Sequence, residues 1–250
     1  MTMPVSGISR LLYGRKRGRK LRPGQQTLFD DMLPKLRVEI PPPGKKLDPA
    51  FLFAPPRRQL WLEIGFGGGE HLAFQAELHP DIGLIGCEPF VNGMVGLFAH
   101  IRDRKLSNIR VFDDDARLLL EALPPASIGR AFVLFPDPWP KKRHHKRRII
   151  APATLDLLAD VLIDDAELRV ASDDAGYVRW ALAHVLDHGA FDWEAESPKD
   201  WRERPKDWPQ TRYEAKAREH GKRCYFLRFV RRKRGAETPP RTIKPLEECR

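Results

Sequence analysis

Between residues 59 and 187, short runs rich in apolar and β-branched residues alternate regularly with longer stretches whose apolar residues recur every three or four positions. The strand-like runs are QLWLEIG (59–65), GLIGCE (83–88), IRVFD (109–113), RAFVLF (130–135) and AELRVAS (166–172). Between and after them come EHLAFQAELH, VNGMVGLFAHIRD, ARLLLEAL, PATLDLLADVL and AGYVRWALAHVLD, each with the period of an amphipathic helix. A strand that returns parallel to its predecessor needs a crossover, and a helix is the usual one, so this alternation predicts an α/β, doubly wound, mostly parallel sheet with helices on both faces. FDWEAE and CYFLRFV alternate like strands and predict an antiparallel edge toward the C-terminus.

The flanks read differently. Residues 1–50 form a basic arm, expected to be partly disordered, since its first 26 residues hold GRKRGRKLRPGQQ and too few apolar side chains for a core. PPPGKK (41–46) and APPRR (54–58) punctuate the approach to the folded body, placed at 51–230, and 231–250 read as a basic tail. Lys and Arg exceed Asp and Glu by ten and the pI is near 9.7, so a polyanionic partner is expected, either a nucleic acid or an acidic membrane surface. The longest clean apolar runs, such as 131–135, are far short of the ~20 residues that a membrane span needs. The N-terminus lacks the long apolar run of a secretory signal, which predicts a cytoplasmic protein. Cys87, Cys224 and Cys249 are scattered without zinc-ligand spacing and read as reduced thiols with no metal.

In an open parallel sheet, ligands bind outside the carboxyl ends of the strands. The first strand runs into EIGFGGGEH, with Gly65, Gly67, Gly68 and Gly69 between strand and helix. A dinucleotide fingerprint would want glycine where Glu70 stands, and a carboxylate there would face a pyrophosphate across the helix N-terminus. The pattern E-x-G-x-G-x-G is met instead, by Glu63, Gly65, Gly67 and Gly69, and it resembles the first motif of Rossmann-like S-adenosylmethionine-dependent methyltransferases. That ligand has a sulfonium and an amino acid end in place of phosphates, so it tolerates an acidic loop. Glu88 ends the second strand, 19 residues after Gly69, where a carboxylate can accept both ribose hydroxyls. One of Asp113, Asp114 and Asp115, after the third strand, can accept the adenine amino group, leaving the others to solvent or to the cap of the next helix.

The fourth strand delivers Asp137 in PDPWPKKRHHKRR (136–148). Pro136, Pro138 and Pro140 each fix φ, so the loop that carries the carboxylate is stiff. Trp139 can stack on a substrate or pack within the loop. Lys141 to Arg148 hold six Lys or Arg and two His with no neutral residue, a run suited to neutralising phosphates. His144 and His145 belong to the same face. Adjacent imidazoles diverge on regular elements, which argues against a metal pair.

PDPWPKKRHHKRR resembles the signature of the tRNA (guanine-N7-)-methyltransferase family, and TRYE at 211–214 is similar to that family's C-terminal substrate motif. The resemblance extends from about Phe51 to Val230. It implies a class I S-adenosylmethionine-dependent methyltransferase fold with a seven-stranded sheet and transfer to N7 of guanosine 46 in the tRNA variable loop. By the same resemblance Glu63, Gly65, Gly67, Gly69, Glu88 and Asp115 hold S-adenosylmethionine and Asp137 is catalytic. Lys141, Asp173, Thr211, Arg212, Tyr213 and Glu214 then bind substrate. Where the family has a small residue before its Asp-Ala pair this chain has DDDA, so the register of the adenine contact stays open among the three aspartates. The partner would be tRNA, with the enzyme a monomer or homodimer, no membrane and no metal.

Two other readings differ in kind. An amino methyltransferase acting on an exocyclic base nitrogen or a protein side chain would often have D/N-P-P-aromatic, whereas here the second proline and the aromatic are exchanged. A non-catalytic RNA-binding module would be expected to lose crowded acids that cost stability, and Glu63, Glu88 and Asp137 are all present.

Overall fold

In the computed structural model, which describes residue 14 and residues 16–236, the alternation becomes a single mixed sheet of seven strands. These are β1 (Gln59–Ile64), β2 (Ile82–Cys87), β3 (Ile109–Phe112), β4 (Ile128–Leu134), β5 (Leu162–Ser172), β6 (Phe191–Trp193) and β7 (Tyr225–Arg231), in the order β3-β2-β1-β4-β5-β7-β6. The first five are parallel, β7 pairs antiparallel with β5, and β6 closes the edge antiparallel to β7. Strand order reverses between β1 and β4, which opens the crevice in which such sheets hold ligands.

Among the described residues eight α-helices accompany the sheet: α1 (Pro23–Leu36), α2 (Glu70–Leu78), α3 (Val91–Arg104), α4 (Ala116–Ala122), α5 (Pro152–Val161), α6 (Ala175–His188), α7 (Lys199–Arg202) and α8 (Arg212–Glu219). Successive strand residues point to opposite faces, and the core divides accordingly. Leu60, Leu62 and Ile64 of β1 join Leu119 of α4, Leu158 of α5 and Val185 of α6 on one face. Trp61 turns to the other, with Leu72 of α2 and Leu97 and Phe98 of α3.

Helix α1 begins inside the stretch expected to be an arm. Its Leu28, Phe29, Met32, Leu33 and Leu36 recur at helical spacing and lie against the core, with the Phe29 and Phe98 rings 5.9 Å apart. The chain then joins the sheet margin, where the Val38 N–H donates to the Val111 carbonyl at 2.7 Å. Cys87 and Cys224 are buried free thiols, and Cys249 lies outside the described residues, as do residues 1–13, 15 and 237–250. No helix among the described residues is long and apolar enough to cross a membrane.

Candidate active site at the carboxyl ends of the strands

Pairing of Ile64 with Cys87 and with Val133, and of Cys87 with Phe112, ends the central strands at one level. The segments that leave them line one open cavity of about 840 Å³, whose walls include Gly65, Gly67, Glu88, Asp115, Asp137 and Tyr213. That size is ordinary for a small-molecule site.

Gly65, Gly67 and Gly69 have φ of 78°, 55° and 80°, a region that side chains with a Cβ enter at a cost. Helix α3 closes on this turn through Gly93, where a Cβ would stand 2.3 Å from the Gly67 carbonyl oxygen. Glu88 ties the turn to β2: its two carboxylate oxygens accept from the N–H groups of Gly67 at 2.8 Å and Phe90 at 3.0 Å. Burial raises the Glu88 carboxyl above its ordinary value, the two N–H groups pull it back, and the charge of Asp137 raises it further while Arg212 opposes.

Glu63 lies deeper. Its carboxylate is buried against His71 of α2, 2.7 Å from Nδ1, and it lines a much smaller cavity behind the turn with Glu70 and Thr211. Of the three aspartates after β3, Asp114 and Asp115 line the main cavity and Asp113 does not. Asp113 pairs with Arg37 at 2.9 Å and Asp114 with Lys16 at 3.7 Å. Asp115 caps α4 through the Arg117 N–H at 3.0 Å and also binds the Arg117 guanidinium. Cys87 also lines the cavity, and burial pushes its thiol up, so it is no thiolate nucleophile.

The PDPWP loop holds Asp137 exposed at the cavity mouth. Phe135 and Trp139 on either side have φ of 50° and 43°, a conformation that costs non-glycine residues about 1–3 kcal/mol each and persists only where the surroundings enforce it. Trp139 packs within the loop region: the Arg147 guanidinium lies 4.8 Å from its ring centroid and the His144 ring 5.9 Å away. His145 turns instead to Trp180 of α6, 5.1 Å between centroids. A short 3₁₀ segment at Lys142–Arg147 carries the cations.

The six cations do not all join the phosphate-neutralising face expected of the run, because Arg148 is only 5% exposed and its side chain is turned inward. Lys141, Lys142, Arg143 and Lys146 are exposed, and Arg147 is half-buried beside Trp139. The run packs with a 3₁₀ period, so consecutive charges cannot all face the same way.

TRYE begins α8. Thr211 caps the helix by accepting from the Glu214 N–H at 3.2 Å, and Glu214 is 1% exposed, paired with Arg218 at 2.7 Å and Arg204 at 3.3 Å. Arg212 reaches Glu70 beside the glycine turn at 3.4 Å, and the Tyr213 ring lies over Gly67 on the cavity wall, 43% exposed. Asp173 receives a salt bridge from Lys222 at 2.8 Å; neither it nor Lys141 lines the cavity. Phe90, Arg117, Arg147 and Ile149 line it too and were not singled out from sequence. Arg147 alone had a sequence signal, as one cation among six, and nothing distinguished it from Arg148.

Comparison with known proteins fits this geometry. Residues 57–227 match a family model described as "Putative methyltransferase". A tRNA (guanine-N(7)-)-methyltransferase of Rhodospirillum rubrum is 54% identical over 227 residues, covering 90% of this chain and 89% of that protein. Proteins of the same name are 52% identical in Paramagnetospirillum magneticum, over 89% of this chain and 93% of theirs, and 46% identical in Brucella abortus, over 88% and 94%.

Proposed function

This chain belongs to the tRNA (guanine-N(7)-)-methyltransferase family, and from that premise we propose that it methylates N7 of guanosine 46 in the variable loop of tRNA, with S-adenosylmethionine as donor. The observation that carries the reading is the shared cavity: the glycine turn, Glu88 and the Asp137 loop line one space about 840 Å³ in volume. The catalytic body is residues 51–230, with α1 and Val38 of the preceding segment packed onto it, and its place of action is the cytoplasm.

The residues present fit the donor. A buried carboxylate, already fixed by two N–H groups, stands at the end of β2 where ribose hydroxyls need an acceptor. The glycine turn leaves room for backbone close to the ligand. Gly65 and Gly67 shape that wall and Gly69 completes the turn at the start of α2; Glu63 supports it from behind through His71; Asp115, at the start of α4, would take the adenine end of the donor. When bound, the sulfonium supplies an electrophilic methyl with a neutral leaving group.

The chain's own work is then mostly orientation. Guanine N7 carries a free lone pair in the neutral base, so no strong base is required, and alignment can contribute ~7–11 kcal/mol. Asp137 accepts hydrogen bonds from the N1 and N2 donors of guanine and offsets the charge that develops on the ring. Adenine offers no such pair of donors on that edge. Tyr213 and Arg212 close the other side, on a helix start set by Thr211 and Glu214, while Lys141 and Asp173 contact the RNA farther out.

In the free protein the Glu88 carboxyl takes up its proton at a higher pH than an ordinary glutamate, because its folded pKa is raised. A protonated carboxyl is the poorer acceptor, so affinity for the donor should weaken as pH falls through that raised value. Glu88→Gln should weaken binding ~10–100-fold at neutral pH and flatten this dependence. Calorimetric titration across pH checks both, and an unchanged affinity in the variant would remove Glu88 from the site.

The position within tRNA is tested with transcripts that differ only at residue 46. Exchange of that guanosine for adenosine should abolish transfer, and undiminished transfer would place the target elsewhere.

A further inference from the structure

We propose that Arg148 is a positioning residue for the target base, clamping the Asp137 loop from inside the protein, in contrast to the exposed cations that precede it. Its Nε donates to the Pro138 carbonyl at 2.9 Å and its Nη2 reaches the Trp139 carbonyl at 3.4 Å. Those are the two residues that follow Asp137. Behind it, the guanidinium lies 4.8 Å from the Trp180 ring centroid and 5.6 Å from that of Tyr177. Both rings belong to α6 and are themselves fixed. The Trp180 indole N–H donates to the Ile150 carbonyl at 2.6 Å, and the His184 ring stacks on the indole at 3.8 Å.

A buried cation is costly unless its donors are satisfied. Here the acceptors are loop carbonyls rather than a carboxylate, so those two hydrogen bonds hold only while Pro138 and Trp139 keep their present orientation. The same segment carries the left-handed φ of Trp139, a conformation that persists only where the surroundings enforce it. The clamp therefore favours the conformation that holds Asp137 at the cavity mouth. It also explains why arginine stands here: a lysine carries charge, but it lacks a planar fork that can stack on Trp180 while donating to two successive carbonyls.

The inference rests on the reading of Asp137 as the group that holds guanine, so Asp137→Ala is measured alongside. For Arg148→Ala, kcat at saturating tRNA should fall on the order of 100-fold, the cost of slight misplacement of a reacting group. Arg148→Lys, which keeps the charge and is compared at equal folded concentration, should still lose roughly tenfold. Affinity for S-adenosylmethionine, KM for tRNA and the salt dependence of tRNA binding should stay as in the unaltered enzyme. In Lys142→Ala, by contrast, the salt slope itself should fall by about 0.7–0.9. Full kcat in Arg148→Lys, a reduced salt slope, or loss of donor affinity in both Arg148 variants would overturn the clamp. If Asp137→Ala retained kcat, the reading of Asp137 itself would fall; if it lost kcat while Arg148→Lys did not, only the clamp would.

Discussion

Asp137→Ala is expected to lower kcat for methyl transfer to tRNA by about 10²–10³-fold, with the dissociation constant for S-adenosylmethionine changed less than ~3-fold. The separation follows from where the carboxylate sits. Asp137 is exposed at the mouth of the cavity, on a loop bent by the left-handed φ of Phe135 and Trp139, whereas the carboxylate placed for the donor is Glu88, held by Gly67 and Phe90. Alanine removes the acceptor proposed for the guanine N1 and N2 donors and leaves those two N–H contacts intact. Single-turnover kinetics with a parallel titration of the donor separate the two constants. Loss of donor affinity together with rate would assign Asp137 to the donor instead. A small secondary effect is also expected, since Asp137 contributes to the raised pKa of Glu88, which should move downward in the variant.

The second large effect concerns RNA affinity. Lys141, Lys142 and Arg143 are exposed in the segment that leaves the Asp137 loop, and changing all three to alanine should weaken tRNA binding about 10–100-fold near 0.1 M salt. Each phosphate left without its cation should also reduce the magnitude of the slope of log K against log salt by roughly 0.7–0.9. In the proposed role these cations contact phosphates without reading sequence, so the weakening should be similar for different tRNAs. Binding isotherms at several salt concentrations test this. An unchanged slope would move the RNA surface away from the 3₁₀ segment at Lys142–Arg147.

The parallel sheet was legible because its strands are buried on both faces and therefore read as short continuous apolar runs, with helical periods between them. β1 to β5 and α2 to α6 fall where those patterns lie, and the antiparallel margin of β6 and β7 follows the alternation in FDWEAE and CYFLRFV. Helix α1 was less legible for a local reason: Pro34 lies inside it and the basic, glycine-containing stretch before it masks Leu28, Phe29, Met32 and Leu33. Helix α8 is short and strongly polar, so only its buried Glu214 and Ala217 face inward and no apolar stripe announces it.

Within the site, the carboxyl-end location of Gly65, Glu88 and Asp137 followed from strand order and loop position. What a sequence does not encode is which way each polar side chain turns. Glu63 lies one residue before the end of β1 and Glu88 one residue past the end of β2, yet the first is buried on His71 and the second lines the cavity. Asp113, Asp114 and Asp115 are consecutive, and their separation depends on Arg37, Lys16 and Arg117, two of which come from the distant N-terminal segment. Arg148 is the clearest case. In sequence it is the last of six cations, and only the packing of Trp180 and Tyr177 reveals that it belongs to the interior.

At the centre of the proposed chemistry, the Asp137 carboxylate holds guanine through its N1 and N2 donors. The most direct measurement is kcat/KM for the unaltered enzyme and for Asp137→Ala on two tRNAs identical except that the target guanosine is replaced by inosine, which lacks the 2-amino group. A hydrogen bond to a charged acceptor is worth about 1.5–3 kcal/mol, so inosine should cost the unaltered enzyme roughly 10–100-fold. In Asp137→Ala, where the acceptor is gone, the two tRNAs should differ by no more than about threefold. Equal losses in both enzymes, or no loss in either, would contradict that role and place recognition of the base on another residue.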